Sequence, residues 1–516
     1  MRHSISHFSQ SSFPFSLPTR FSPPFMFRFS HSPLLYSSLI LLFFSLFFTF
    51  SPLTLSGQKL RDPGPLKVTT EKLWDHGALQ VTADGHYIQH SDGTPFFWLG
   101  DTAWELFHRL TPAEIGQYLD DRSAKGFNVI QAVILAEMDG LRKPNQQGEV
   151  PLTDLDPTRP NENYFALVDS VVRRAADRNM YMGLLPTWGD KVTQLWGTGP
   201  VVFNPENARK YGHWLASRYK DAPNIIWILG GDRPPKNDDG DWRPVWKAMA
   251  EGIEEAAGPE VLITYHPSGG SSSSRFLHNE KWLDLNMMQS GHGDGHDVPV
   301  WDRITADRLL VPAKPTLDGE PNYEDHPVSP WPVWNPENGH YRDHDVRKQL
   351  YRSVFAGACG VTYGHHSIWQ FWNPREQKIN HAEKVWNEAL NRPGAFHAGI
   401  LRRLMESRPL NDRIPDPSII VAGQGEKGEY MTAFRDGKGR FLMVYFPVGK
   451  TATLDLSSLS GKKARLWWFN PRTGKKEASL RQTTGKKITL TPPSTGGTND
   501  WVLIADSPKK NFKNNS

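Results

Sequence analysis

The 516-residue chain has one cysteine, Cys359, so no disulfide can form within it and the fold must hold by its core. It also lacks a charge excess of consequence. With 59 Lys and Arg against 55 Asp and Glu, the formal net charge is +4, which removes the general signature of nucleic-acid binding. No phosphate-cradling glycine loop, P-loop or nucleophile elbow is present. One stretch, Gly291-His-Gly-Asp-Gly-His-Asp297, carries two His and two Asp, but its spacing matches neither a zinc site nor an EF-hand loop. It reads as a loop that hydrogen-bonds substrate or its own backbone, and neither a metal nor any other cofactor is expected.

Long hydrophobic runs are absent too, with one exception. Residues 34–50 are uncharged and apolar, preceded by Arg28 and His31 and followed by the small residues Thr54, Ser56 and Gly57. That is the layout of a signal peptide. The 25 residues before Met26 are too long for an ordinary n-region, and a start at Met26 would give a conventional one. The expectation is a leader over 1–57 and a secreted product, extracellular or periplasmic, with no stable membrane insertion after cleavage; an uncleaved N-terminal anchor is the alternative. No lipoprotein cysteine follows the run, since the one cysteine of the chain is the distant Cys359.

What is present is an alternation. From about residue 76, short Val/Ile/Leu/Trp-rich runs alternate with helical segments, the pattern of a parallel sheet wrapped by helices. Strands are expected over 96–101, 128–135, 180–188, 224–232, 261–267, 283–290, 314–320 and 360–364, and helices over 112–125, 164–178, 205–219, 243–257, 300–310, 346–358 and 386–406. The fold class is therefore α/β, a (β/α)8 TIM barrel over 76–407 entered through a β-hairpin before its first strand. Cys359 falls at a helix-to-strand junction as a small buried residue. After about residue 408, short alternating strands and turns predict an all-β sandwich over 410–507, followed by a disordered tail over 508–516. Lysine pairs at 462–463, 475–476 and 486–487 make that domain basic: a solvated face, or contact with a polyanionic polysaccharide. Gly269-Gly270 followed by four serines reads as a flexible lid or a passive surface loop.

The chemistry lies at strand ends. Asp232 ends Ile-Ile-Trp-Ile-Leu-Gly-Gly-Asp and Glu320 ends Lys-Pro-Thr-Leu-Asp-Gly-Glu, 88 residues later, which fits strands four and seven. Catalytic groups of such barrels sit at the C-terminal rim, and two facing carboxyls about 5–5.5 Å apart are what retaining glycosidic cleavage requires. Glu320 is assigned as nucleophile and Asp232 as acid/base. Pairing of Asp232 with its neighbour Arg233 would oppose that role by lowering its pKa. Asp318, Glu324 and Asp325 are rival acids; Asp318, two residues back, is expected to share Glu320's face in a supporting role. Asp101, Trp104, Trp188, Asp190, His266, Gln289, His292, Tyr323, His365, His366 and Trp369, all at or just beyond strand ends, form the candidate sugar cradle, with polar groups for hydroxyls and indoles for ring faces.

These residues carry a resemblance. Phe97-Trp-Leu-Gly-Asp-Thr-Ala-Trp104, Trp227-Ile-Leu-Gly-Gly-Asp232, Gln289-Ser-Gly-His292 and Asp318-Gly-Glu-Pro-Asn-Tyr323 resemble the apiosidase-like glycoside hydrolases of family 140, across nearly all of 79–407. The last domain, with Leu466-Trp-Trp-Phe-Asn-Pro-Arg-Thr-Gly474, looks like the sandwich often appended to these barrels under an inherited collagen-binding name. The resemblance implies a retaining enzyme that acts on apiose-containing side chains of the pectin rhamnogalacturonan II, with the Gly-Gly-Asp aspartate as acid/base and the Asp-Gly-Glu glutamate as nucleophile. Action on another plant cell-wall glycoside is the enzymatic alternative, and a catalytically dead carbohydrate- or matrix-binding protein the non-enzymatic one; oligomeric state is not legible.

Overall fold

Strand sequences such as Val-Ile-Gln-Ala-Val-Ile-Leu, buried at every position, are what a parallel sheet covered on both faces demands. The computed structural model describes residues 71–328, 333–508 and 512, so the leader expected over 1–57 and most of the expected tail lie outside the described residues. Eight parallel strands form the barrel: β1 (Trp98–Thr102), β2 (Val129–Leu135), β3 (Tyr181–Thr187), β4 (Ile225–Gly230), β5 (Ile263–His266), β6 (Asn286–Gln289), β7 (Thr316–Asp318) and β8 (Gly360–Tyr363). Hydrogen-bonded neighbours run β5, β4, β3, β2, β1, β8, β7, β6. The seam between β5 and β6 is joined by Thr264 Oγ1 donating to Leu285 O at 2.8 Å and by Asp284 N donating to Ile263 O at 2.9 Å.

One principal helix follows each strand: α1 (Pro112–Ala124), α2 (Glu162–Asp177), α3 (Pro205–Tyr219), α4 (Arg243–Ala257), α5 (Ser274–Leu277), α6 (Val300–Arg308), α7 (Asp343–Phe355) and α8 (Pro393–Glu406). α1 starts where the residues dictate. Thr111 accepts the Glu114 N–H, the Glu114 carboxylate accepts the Thr111 N–H, and Pro112 occupies the first turn. The helix expected over 386–406 is two pieces, Trp386–Ala389 and α8, because Pro393 drives Arg392 into an extended conformation. Below the barrel, Leu79–Val81, Ile88–His90 and Pro95–Phe96 form a three-stranded meander. Its Leu79, Ile88 and Phe96 pack with Tyr181, Leu285, Leu317 and the buried Cys359, closing the floor.

The serine-rich segment is tied to the barrel at its far end, while Gly269 and Gly270 line the cavity. Ser271–Ser272 pairs antiparallel with the end of β6, and Asp307 accepts both Ser272 Oγ and Ser274 Oγ at 2.6 Å.

The C-terminal strands are β9 (Arg413–Pro415), β10 (Ile420–Ala422), β11 (Thr432–Asp436), β12 (Phe441–Phe446), β13 (Ala452–Asp455), β14 (Lys463–Asn470), β15 (Lys475–Thr483), β16 (Lys487–Leu490) and β17 (Trp501–Asp506). They form a six-stranded sheet, β9-β11-β12-β17-β14-β15, and a three-stranded one, β10-β13-β16. A core that includes Leu442, Val444, Leu454, Leu466 and Leu503 lies between the sheets. The other face of the larger sheet, with Phe434, Met443, Tyr445 and Ile504, packs on α7 and α8 of the barrel. Arg347 of α7 forks onto Asp500 with two 2.8 Å hydrogen bonds, both side chains fully buried.

Candidate active site

At the C-terminal rim of the barrel a cavity of about 590 Å³ is lined by Trp104, Trp188, Trp369, Tyr323, His292, Gln289, Asp232 and Glu320. Its size is that of a small-ligand cleft. Glu320 enters just past β7 and is almost wholly enclosed. His266 Nε2, from the end of β5, lies 2.9 Å from one carboxylate oxygen, and His292 Nε2 lies 3.2 Å from the other. The backbone decides which ring nitrogen carries the proton. Asp232 N donates to His266 Nδ1 and Tyr323 N donates to His292 Nδ1, each at 3.3 Å, which turns both Nε2 atoms to Glu320; His292 Nε2 hydrogen-bonds it, and His266 Nε2 makes a close contact outside hydrogen-bonding geometry. Burial opposes ionisation of Glu320, but these two imidazoles outweigh it and bring the carboxyl down to about 2. The phenol of Tyr323, bonded by Trp104 Nε1 at 3.1 Å, is pushed well above its usual range by burial and by the charge of Glu320.

Asp232 faces the same cavity from the end of β4. The glycines ahead of it are required. Gly230, Gly231 and Asp232 all have positive φ, 88°, 119° and 54°. A Cβ on Gly230 would lie 2.4 Å from His266 O, and one on Gly231 2.8 Å from Gly189 N and the Trp188 ring. Burial raises the Asp232 pKa, the neighbouring Arg233 pulls it down, and ionised Glu320 pushes it up; the net direction is upward. The expected pairing with Arg233 is present, with Nη1 at 3.2 Å from Oδ2, yet it does not dominate. Arg233 is divided. It also donates to Asp232 O and Trp196 O, stacks 4.1 Å over the Trp196 ring and lies 3.7 Å from Glu137. Trp196 Nε1 in turn donates to Asp232 Oδ2 at 3.3 Å.

A carboxyl favoured as its anion and a second whose pKa is raised thus line one cavity, and environments that push two carboxyls apart in this way suit the acid and nucleophile of glycosidic cleavage. The family model described as "Apiosidase-like, catalytic domain" matches residues 82–412. The chain belongs to the apiosidase-like glycoside hydrolases. A second model, "Putative collagen-binding domain of a collagenase", matches residues 414–506. Among solved structures, a glycoside hydrolase family 5 protein from Bacteroides vulgatus is 34% identical, with a TM-score of 0.79 over 86% of this chain and 96% of that one. A structure titled "Glycoside hydrolase" is likewise 34% identical, with a TM-score of 0.78 over 86% of this chain and all of its own. No curated protein matches the chain.

The apiosidase-like barrel brings Trp104, Trp188, Gln289, His292, Tyr323 and Trp369 to the cavity wall, with His266 behind Glu320. Four other candidates lie elsewhere. Asp101 is buried against α1, accepting Tyr118 Oη at 2.5 Å and Arg122 Nε at 2.6 Å. Asp190 pairs with Lys191 Nζ at 2.6 Å and accepts the Gly199 N–H, pinning its own loop. His365 caps the turn after β8 through Ser367 N and contacts Asp325. His366 bonds Asn380 O and accepts from Trp369 Nε1, so it orients that indole from behind.

The rival acids are occupied too. Asp318 does not share Glu320's face: Ser290 and Ser353 bind it, and burial lifts it to about 6. Glu324 accepts Tyr363 Oη and Gly394 N, and Asp325 is held by Arg342 and Arg392. The four charged side chains of the Gly291 stretch diverge: His292 to Glu320, Asp294 to Arg303, His296 to Asp345 and Asp297 to Lys348.

Sequence reasoning missed Glu137, Trp196, His326 and Trp334, all on the cavity wall. Glu137 was within reach, since it follows the Val-Ile-Leu end of β2 as Asp232 follows β4. Its carboxyl, raised by burial to about 8, faces the cavity beside Arg233. Trp334 and His326 come from the long loop after β7, where no periodicity marks them; His326 stacks on His292 at 4.4 Å and meets Trp334 edge-on at 4.8 Å. Among the described residues, no helix is long and apolar enough to cross a membrane.

Proposed function

We propose that this glycoside hydrolase is a secreted retaining enzyme that cleaves apiose-containing side chains of rhamnogalacturonan II, with Glu320 as nucleophile and Asp232 as acid/base. The observation that carries the assignment of roles is the pair of imidazoles on Glu320. Two imidazoles against one carboxylate, one of them hydrogen-bonded to it, favour its anion, which a nucleophile needs and a proton donor cannot tolerate.

The carboxylate of Glu320 attacks the anomeric carbon while the bond to the leaving oxygen breaks and Asp232 gives that oxygen its proton. Esterification removes the negative charge of Glu320, and with it the repulsion that adds to burial in raising the Asp232 pKa. Asp232 is then a carboxylate beside Arg233, suited to take a proton from the water that displaces Glu320. Trp104, Trp188 and Trp369 offer apolar faces to the sugar, and Gln289 offers an amide. The apiosidase-like family supports the substrate class, and the apolar run over 34–50 supports export.

The test is release of reducing sugar from purified rhamnogalacturonan II by the wild type and by Glu320→Gln. Release by the wild type alone is the expected result. Equal release by both would remove Glu320 from the chemistry, and no release by the wild type would remove the substrate.

A further inference from the structure

We infer that the β14–β15 hairpin of the C-terminal domain is a docking surface for an anionic polysaccharide, separate from the catalytic cavity. The 26 residues from 462 to 487 hold nine Lys and Arg against a single acid, Glu477, so this segment carries +8 and the rest of the chain −4. The fold gathers that charge on one outer edge. β15 is the last strand of the six-stranded sheet, and its register sets Thr483 beside Lys463 at one end and Lys475 beside Asn470 at the other. Lys462, Lys463 and Lys486 cluster at the first end, and Lys475 and Lys476 at the second; all are exposed, and no ion pair to an acid is found for them among the described residues. Of the acids nearby, Glu477 accepts from Asn470, Asp506 is forked by Arg408 while lying opposite Arg465, and Asp455 lies opposite Lys487 in the β13 to β16 register, so the nine cations outnumber them.

The two lysine clusters are one strand length apart, roughly 25 Å at about 3.3 Å per residue. That is more than twice the Debye length of about 10 Å at 0.1 M salt, so each cluster binds locally, and an extended chain of repeating carboxylates engages both at once. Lys476 lies 4.3 Å over the Trp467 ring, which steadies one of the ammonium groups. The choice of a glycan over other polyanions rests on the glycosidase barrel to which this domain is fused, and binding is tested apart from turnover.

The experiment is affinity electrophoresis of the full chain through gels that contain polygalacturonate, neutral galactan or duplex DNA, at low and high salt. The protein is run as wild type and as the quadruple variant Lys462→Glu, Lys463→Glu, Lys475→Glu, Lys476→Glu. The expected result is retardation by polygalacturonate that is about tenfold weaker in the variant and falls with salt, with none by galactan. Circular dichroism of the variant excludes misfolding as the cause, and the salt dependence of the wild type tests the charge mechanism without any substitution. Equal retardation of both proteins, or retardation by galactan, would overturn the proposal. Retardation by DNA as strong as by polygalacturonate would overturn the assignment to a glycan.

Discussion

Replacing His292 tests the electrostatic core of the site. Glu320 is brought from an ordinary 4.5 to about 2, a net preference for the carboxylate of about 3 kcal/mol at 1.36 kcal/mol per unit. Two imidazoles supply it against the opposing cost of burial. A hydrogen bond to a charged group is worth about 1.5–3 kcal/mol, so His292→Ala is expected to raise the Glu320 pKa by about one to two units. The acid limb of kcat/KM, which reports the free enzyme, then emerges near pH 4, where in the wild type it lies too low to separate from unfolding. His292→Gln, which restores an N–H donor, should recover part of the shift.

The same change appears in stability. A carboxyl with a depressed folded pKa stabilises the protein above its unfolded value and loses that contribution as pH falls towards the folded one. The urea midpoint of the wild type should therefore decline between pH 4.5 and about 2, and that of the alanine variant over a narrower span. An alanine variant that is slower but keeps an unmoved acid limb would refute the argument, because it would show that His292 does not set the ionisation of Glu320.

Glu137→Gln tests the third carboxyl of the cavity. Its folded pKa of about 8 lies above 4.5, so the native state holds a proton that the unfolded chain has released, and stability falls as pH rises through that window. The variant should unfold about 2–4 kcal/mol later than the wild type at pH 8.5, after allowance for partial exposure, and gain nothing at pH 4; no difference at either pH would mean that Glu137 titrates normally. Gly231→Ala forces a Cβ against Gly189 and Trp188 at φ 119° and should cost about 1–3 kcal/mol and most of kcat, with retained kcat showing that the turn before Asp232 is not critical. Asp500→Ala leaves the buried Arg347 with the half-exposed Asp343 as its acid partner and should lower stability by up to about 3 kcal/mol in tryptophan-monitored urea unfolding; a loss under 1 kcal/mol would show the clamp to be dispensable.

The barrel was legible because its longer strands, such as β2 and β4, are apolar runs that alternate with capped helices. The rim acids were legible because a parallel strand delivers its last residues to one end of the sheet. Position along the strand does not reveal direction, and Asp101 was misjudged for that reason. Strand residues alternate between faces: Trp98 belongs to the interior cluster and Leu99 to the cluster under the outer helices, so Asp101 shares the outward side of Leu99 and meets Tyr118 and Arg122 of α1. The opposite error was made at Asp318. Alternation would have placed it with Glu320, but β7 ends at Asp318 and the chain turns at Gly319, whose added Cβ would strike Met287. In the sandwich, β15 reads Lys-Lys-Glu-Ala-Ser-Leu-Arg-Gln-Thr, with little β-propensity and no clean alternation, which is tolerated at a sheet edge.

The Gly-Gly-Asp turn does more than present an acid. By carrying the backbone through three successive positive-φ residues it aims the Asp232 N–H at His266 Nδ1, and that bond fixes which tautomer the imidazole adopts towards Glu320. The alternative tautomer would set an N–H against the Asp232 N–H and a lone pair against the Glu320 carboxylate, losing both contacts. The conformation of the acid's own backbone thus sets how His266 meets the second carboxylate. An insertion in the 230–232 turn should therefore raise the pKa of Glu320 as well as displace Asp232, whereas Asp232→Asn, which keeps the backbone N–H, should abolish proton donation and leave the ionisation of Glu320 dominated by its two imidazoles.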